Sequence, residues 1–455
     1  MKKLTMKKFK ILLLVSACCS NNLFAQQWHV AVNGNDAFDG KTIKSAFRTL
    51  QKAAAVVQPG ETVFIGGGTY TNDDKADGSA VLNITVSGTA KAPITWKAEP
   101  NEQPIITPKG WAGIQITGSY HIIDGLTVLG NNDAIVLIKA LEEAKNKTPN
   151  PYYNSNGIVV EGRKNKPNQK PHHIVIKNCT VGKCAGGGIV GLEMDYLTIE
   201  DCKVYDNAWF MRYGGSGISL LNNWALDDAP GYHIIIQRNY VWNNKTLVPW
   251  ERIGKLSDGN GIILDVTDQA QGATNPNADE AVKKETAKKD SIKSLRPVWK
   301  GRALVANNVS AFNGGSGIHT FRTSHVDIIN NTTYWNGGIV GYQELFANRS
   351  DDVVILNNII VPRPGGEVTS NNKNTNIKWD YNLYPSEQSI YKGANDIVAP
   401  VAFIDVQTDI TNGNFGLQKT SIGIDKGTTQ LQQLKDIKGM KRLQGSGVDM
   451  GAIEN

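Results

Sequence analysis

The sequence predicts an all-β chain wound as a right-handed parallel β-helix, a β-solenoid closed by an N-terminal capping helix. Three observations lead there: short β-branched runs that recur with a polar anchor, a Gly-Ile series that follows them, and an amphipathic segment ahead of the first run.

The runs read one beneath another as YHIIDGLTV from 120, HIVIKNCTV from 173, YLTIEDCKV from 196, HIIIQRNYV from 233, ALVANNVSA from 303, VDIINNTTY from 326 and VVILNNIIV from 353. Aligning their anchors places Asp124, Asn178, Asp201, Asn239, Asn308, Asn331 and Asn358 in one column, with intervals of 23, 23 and 27 where no insertion intervenes. A period in the twenties is that of a solenoid whose coils each hold a few short strands. An Asn at a fixed place in successive coils can bond the amides above and below it, so the anchors read as scaffold.

The second series is NGIVV from 156, GGGIVGL from 186, GSGISLL from 215, GNGIILD from 259 and GSGIHTF from 315. Glycine is expected there to permit a turn with positive φ, with the following Ile pointing inward. Ser45 to Gln58 reads as an amphipathic helix between a strand near Trp28 to Val32 and the breaker Pro59-Gly60; such a helix would plug the open end and spare the strand edges. VDMGAIEN at the far end is expected to return a last strand to the body.

These readings divide the chain into 1–25, a leader; 26–70, the strand and cap entering the first coil; 71–361, the parallel β-helix with insertions near 134–153 and 267–302; and 362–455, closing coils. In the leader, Lys2, Lys3, Lys7, Lys8 and Lys10 precede the apolar run Ile11 to Ala17, as in a secretory signal peptide. Cleavage after Ala25 would free the protein to the periplasm or medium, whereas the box ending at Cys18 would make a lipoprotein. Both remain open. The run is shorter than the ~20 residues of a membrane span, and no transmembrane segment is expected.

The net charge of +6 is concentrated in the leader, because the remainder holds 43 basic against 42 acidic residues. A nearly neutral body offers no general attraction for nucleic acid. Cys179, Cys184 and Cys202 are odd in number and lack CxxC spacing, which reads as buried small side chains with at most one disulfide. The protein is expected to act as a monomer.

The opening WHVAVNGNDAFDGKTIKSAFRTLQKAAAVVQPGETVFIGGGTY resembles the cap of secreted carbohydrate-active β-helix proteins. KLSDGNGII, GRALVANNVSAFNGGSGIH and VDIINNTTYWNG are similar to the core of polysaccharide lyase family 9, the pectate lyase L type. That resemblance implies calcium held by several Asp and a Lys that removes the proton beside a uronate carboxylate, and Asp258 stands at one calcium position. Gly315 and Ser316 stand where the family has adjacent aspartates, Thr320-Phe321-Arg322 adds no carboxylate, and GYQELFANRS supplies no matching lysine.

The residues themselves gather candidates on one expected ridge. His319, Arg322 and Glu344 are the catalytic candidates, Asp258 and Asp265 a metal pair for calcium, and Arg349, Trp224 and Trp250 contacts for an acidic polysaccharide. A lyase needs a base for the sugar C5 proton, a cation beside the carboxylate and an acid for the leaving oxygen. A hydrolase needs two carboxylates about 5 to 9.5 Å apart, with Asp258, Asp265 and Glu344 available. A noncatalytic glycan-binding protein is the third reading. Trp209, Tyr213, Trp224, Tyr232, Trp242 and Trp250 crowd one loop-rich stretch where rings can stack on sugars or simply pack.

Overall fold

Three parallel sheets run the length of the molecule and share a single core. The computed structural model describes residues 26–72, 79–267 and 296–455. The leader with Cys18, and most of the insertion expected at 267–302, lie outside the described residues. Sheet A has 11 strands from Gln27–Val30 to Thr375–Asp380, sheet B has 11 from Gly68–Thr71 to Ile397–Val398, and sheet C has nine from Ala80–Ile84 to Asn371–Asn372. Each coil visits A, then B, then C. His172–Lys177, Thr180–Gly182 and Ile189–Leu192 form one such circuit, and Asp195–Glu200 begins the next. This is the right-handed parallel β-helix that the repeats predict.

Alternation along each strand divides inside from outside. In sheet C, Ile114, Ile158, Ile189, Ile218, Ile262, Ile318 and Leu345 stand in register and are buried. The next residue of each strand faces out, giving the column Gln115, Val159, Val190, Ser219, Ile263, His319 and Phe346. Each inward Ile contributes about 1.5–3 kcal/mol by leaving water.

Between sheets A and B, the anchors form a buried amide ladder. Asn239, Asn308, Asn331 and Asn358 each accept, at 2.9 to 3.0 Å, the backbone N–H of the ladder residue one coil earlier, and Asn382 continues the series. Asp396 closes it by accepting from the Asn382 N–H. The aligned Asp124, Asn178 and Asp201 are not rungs: Asp124 pairs with Lys177, while Asn178 and Asp201 lie one position earlier, with φ of 54° and 55°. Cys179 and Cys202 occupy the inward place instead, stacked in adjacent coils, and all three cysteines are free thiols.

A second ladder runs between sheets B and C. Cys184, Asn207, Asn244, Asn313 and Asn336 donate their N–H groups in turn to Asn207, Asn244, Asn313, Asn336 and Glu344. This ladder explains the glycine before each inward Ile. Gly188, Gly217, Gly261 and Gly317 do not have positive φ, contrary to the turn expectation, whereas Gly259 of the same series does, at 70°. A Cβ there would lie 2.6–2.8 Å from the Nδ2 of Asn207, Asn244, Asn313 and Asn336 respectively. Glycine is required by crowding.

The cap is shorter than predicted. Only Leu50–Ala54 is α-helical, after a 3-10 turn at Ile43–Ser45, because Phe47 is drawn alongside the first strand: its N–H donates to the His29 carbonyl and its carbonyl accepts from Ala31, both at 2.8 Å. The Thr49 hydroxyl then caps the helix from outside that extended stretch. Leu50, Ala53 and Val57 still close the core. The first strand spans Gln27–Val30 rather than reaching Val32.

Stacking continues past residue 361 to Ile397–Val398, after which Phe403, Phe415, Leu417 and Met450 cluster with Val309, Ile359 and Leu383 of sheet B. VDMGAIEN does return to the body, but as irregular chain, with Val448, Met450, Ala452 and Ile453 buried. Asn307, Asn330 and Asn357 receive it. They immediately precede ladder asparagines, face outward with φ of 54° to 60°, and donate their side-chain amides to the carbonyls of Lys435, Asp449 and Thr428.

Replacing Asn331 by Ala removes a carbonyl that accepts from the backbone and amide of Asn308, and an amide bound to Val305, Ile329 and Asn358. The expected loss is about 2–4 kcal/mol, because buried partners are left unsatisfied. Urea unfolding followed by far-ultraviolet circular dichroism should show a lower midpoint.

Candidate functional site

The outer face of sheet C separates the candidate residues into two edges and a floor. Asp258 lies where the chain enters Ile262–Asp265, and Asp265 lies at that strand's far end. At about 3.3 Å per residue the strand is roughly 10 Å long, so the expected single ridge is two ridges. Arg322 and Arg349 share the Asp265 side, directly after Ile318–Phe321 and Leu345–Asn348. Their φ values of 52° continue a left-handed column through Glu193, Asn222, Val266, Arg322, Arg349 and Lys373. Even β-branched Val266 adopts it, so the coil imposes the turn. Arg322 is buried; Arg349 is half-buried, its guanidinium 5.9 Å from the Phe321 ring centre.

Asp258 itself has φ of 65° and is half-buried. Burial pushes its carboxyl up to about 6, with a Ser257 hydrogen bond pulling the other way. Ser257 Oγ lies 3.3 Å from the Tyr342 hydroxyl, which links Asp258's turn to a phenol two coils further on. Burial raises the Tyr342 pKa as well, so the phenol holds its proton. Gly214 packs so closely that a Cβ on it would stand 2.5 Å from Asp258 Oδ2.

His319 is on the floor. It faces outward as expected, but its ring is 94% buried, stacked 4.0 Å from Phe346 and edge-on to Tyr342 at 5.8 Å. Among the described residues neither ring nitrogen has a hydrogen-bond partner, and burial lowers its pKa to about 3. It is a neutral imidazole and a weak base, which argues against the general-base role expected of it.

Glu344 is not on the outer face. It is 1% exposed and terminates the second ladder, accepting from the Asn336 backbone at 2.9 Å and from the Asn336 amide. Burial raises its pKa to about 8. Its register explains the error: Leu345 is the inward residue of that strand, and Glu344 precedes it where earlier coils carry the ladder-facing glycine. Trp224 is also misplaced as a rim residue. It is buried beneath Lys170, whose Nζ is 4.4 Å from its ring, beside a 210 Å³ cavity also lined by His172 and Asp195. Trp250 is half-buried in the loop leading to Asp258, next to Glu251, which pairs with Arg212.

The calcium expectation meets a poor donor set. Asp258 and Asp265 stand at opposite ends of one strand, Ser316 Oγ is turned inward to Asn260 Oδ1 at 2.8 Å, and Gly315 carries no side chain. Calcium takes six to eight oxygens at about 2.3–2.6 Å. Among the described residues no group of three or more His, Cys, Asp or Glu gathers to hold a metal. The residues present do not fit the calcium centre that the resemblance implies.

Sequence reasoning passed over Tyr342 and Ser257. Tyr342 stands in GYQELFANRS, which lacks the lysine of the family pattern, and Ser257 directly precedes Asp258. Only stacking reveals that they meet.

The coil circuit, the two ladders and the cap define a right-handed parallel β-helix protein. Residues 28–352 match the family described as Pel9A-like, right-handed β-helix region, and the chain belongs to that family. Among solved structures it is similar to pectate lyase Pel9A, with 15% identity over 95% of this chain and 98% of that one and a TM-score of 0.50. It is also similar to a rhamnogalacturonan lyase, at 17% identity over 92% and 99% with a TM-score of 0.46, and to a glycoside hydrolase, at 10% over 79% and 96% with a TM-score of 0.46. A comparison with curated proteins finds no match. Among the described residues no helix is long and apolar enough to cross a membrane.

Glu344→Ala should lower stability by about 2–4 kcal/mol by leaving the Asn336 donors unpaired, yet leave activity per folded molecule unchanged. Because its pKa rises on folding, its contribution is full below the unfolded value of 4.5 and is lost as pH rises through about 8. Glu344→Gln should therefore flatten the fall in melting temperature across that window, measured by calorimetry.

Proposed function

We propose that the outer face of sheet C is the reaction groove of a polysaccharide lyase acting on a uronic-acid-containing polymer. The observation that carries the reading is the half-buried Asp258 carboxyl, raised to about 6 and joined through Ser257 to the protonated Tyr342 hydroxyl. A proton acceptor and a proton donor thus meet on a rigid edge, over an aromatic floor.

In this mechanism the Asp258 carboxylate removes the sugar C5 proton. The electron pair forms the C4–C5 double bond, the C4–oxygen bond breaks, and the leaving oxygen takes the proton of Tyr342. The uronate carboxylate must be neutralised while charge develops beside it. Arg349, half-buried on the opposite edge with its guanidinium beside the Phe321 ring, is assigned that task in place of the calcium that the donor set does not fit, and the buried Arg322 lies one coil before it. His319 presents a neutral polar ring beneath the sugar. The aromatic and apolar floor supports the reading, because carbohydrate sites combine such surfaces with a few placed polar groups.

Export under the leader read at residues 1–25 agrees with a polymeric substrate outside the cell. With Glu344 in the interior, a hydrolase keeps only Asp258 and Asp265 as candidates.

Incubation with uronic-acid polymers should raise absorbance near 235 nm, and chelator should leave the rate unchanged. The rate should climb as pH passes about 6, where Asp258 loses its proton. Asp258→Asn should cost ~10²–10⁴-fold in kcat, the usual worth of a positioned acid–base group. New reducing ends without the absorbance, or a rate that falls through pH 6, would replace the lyase with a hydrolase that uses Asp258 as acid.

A further inference from the structure

We infer that residues 431–443, in the segment that fastens onto the coils near the C-terminus, form a basic and apolar surface that docks the protein onto an anionic phospholipid bilayer. The inference is independent of the reaction proposed for sheet C.

From Lys426 to Ser446 the chain carries Lys426, Lys435, Lys438, Lys441 and Arg442 against a single acid, Asp436, in a body that is otherwise close to neutral. A short hairpin arranges them. The Arg442 N–H donates to the Leu434 carbonyl at 3.1 Å and the Asp436 N–H to the Met440 carbonyl at 2.8 Å, which sets Lys435 and Lys441 directly opposite each other. Alternation turns their neighbours Asp436 and Arg442 inward, and both are buried. Asp436 spends its carboxylate on the N–H groups of Lys438, Met440 and Glu454, while Arg442 pairs with Glu454 at 3.2 Å. Lys435, Lys438 and Lys441 stay exposed, and among the described residues none of the three reaches a carboxylate within ion-pair distance. Lys438 meets the uncharged Asn414 side chain at 3.0 Å. Like charges directly opposite across paired strands repel, and an anionic partner relieves that repulsion.

The apolar side chains decide which anion. Leu431, Leu434, Met440 and Leu443 are all exposed, and Leu434, at 87%, is the most exposed large apolar side chain among the described residues. Scattered singly, such residues are ordinary; gathered on one hairpin among lysines, they make an interaction surface. Aliphatic chains that enter the acyl boundary beside ammonium groups that meet phosphates are the composition of an interfacial membrane contact. The stretch from Lys426 to Ser446 has no Phe, Tyr or Trp, the rings that would stack on a sugar. A bilayer therefore fits this surface better than a polyuronide.

The hairpin is also held ready. The Lys435 carbonyl accepts from the Asn307 amide at 3.0 Å, the Ile437 N–H donates to the Ala452 carbonyl at 3.1 Å, and the Arg442 guanidinium donates to the Gly451 carbonyl at 2.7 Å. Ile437 itself is buried against the sheet B cluster. Docking then orders little that is not already ordered.

The test is hydrogen exchange of the full chain, read by mass spectrometry, with no lipid, with phosphatidylcholine vesicles, and with vesicles that also hold about 30% phosphatidylglycerol. A local readout separates this surface from any contact made by the leader. The anionic vesicles should slow exchange across 431–446 by about threefold or more and leave the outer face of sheet C unchanged. Lys435→Gln combined with Lys441→Gln should raise the lipid concentration for half protection by about 25-fold, roughly fivefold for each lysine. Leu434→Ser combined with Leu443→Ser should raise it by about tenfold or more. No protection of 431–446, equal protection by the neutral vesicles, or unchanged protection in either double variant would overturn the inference. Protection by a uronate polymer without lipid, if it survives the leucine changes, would give the surface to a polyanion and overturn the bilayer.

Discussion

The coils from Asn207 to Asn382 rest on the buried side-chain amide, which is at once a donor and an acceptor. Two of the three turns in each such coil, from sheet A to B and from B to C, lie against the core and strand N–H and C=O groups away from water. Unpaired, such groups cost about 1–3 kcal/mol apiece. Asparagine answers them in both directions, and because its neighbour one coil away has the same need, the answer repeats. The ladder between sheets A and B passes from Asn239 to Asn382 and closes on Asp396; the ladder between B and C passes from Asn207 to Asn336 and closes on Glu344. Each closes on a carboxyl group, an acceptor where no further coil supplies an amide. Cys179, Cys184 and Cys202 hold the corresponding places at the other end, each thiol donating to a backbone carbonyl two residues earlier.

The ladders constrain the neighbouring strands as well. Room for Asn207, Asn244, Asn313 and Asn336 requires glycine beside them, at the edge where the chain enters sheet C. On that edge stands Asp258, while the left-handed turns of the opposite edge carry Arg322 and Arg349. A four-residue strand sets the width between the edges, and the stacking of coils sets the distance along them. The positions of the groove's chemical groups are thus properties of a repeating backbone, with little left to the flexibility of loops.

Much of the fold was legible because periodicity is a property of one chain read against itself. The inward Ile column and the Asn239–Asn358 series follow from alignment alone. Periodicity misleads where the rung is not the polar residue: in Asn178-Cys179 and Asp201-Cys202 the polar residue falls beside the later asparagines, although the inward rung is the cysteine. Glu344 misled for a related reason, since a carboxylate beside an apolar strand reads as surface, and only the ladder reveals its interior partner. The contact between Ser257 and Tyr342 spans 85 residues and follows no repeat, so nothing local announced it.

The doubled asparagines carry a consequence for order in time. In Asn307-Asn308, Asn330-Asn331 and Asn357-Asn358 the second residue joins the coils and the first faces out to hold the closing segment. That outer row of amides exists as a row only after the three coils have stacked. The last thirty or so residues have no template before then, and once seated they span coils that would otherwise peel apart one at a time. The segment from Thr428 to Gly451 is thus a clasp whose seat is built by the coils it fastens.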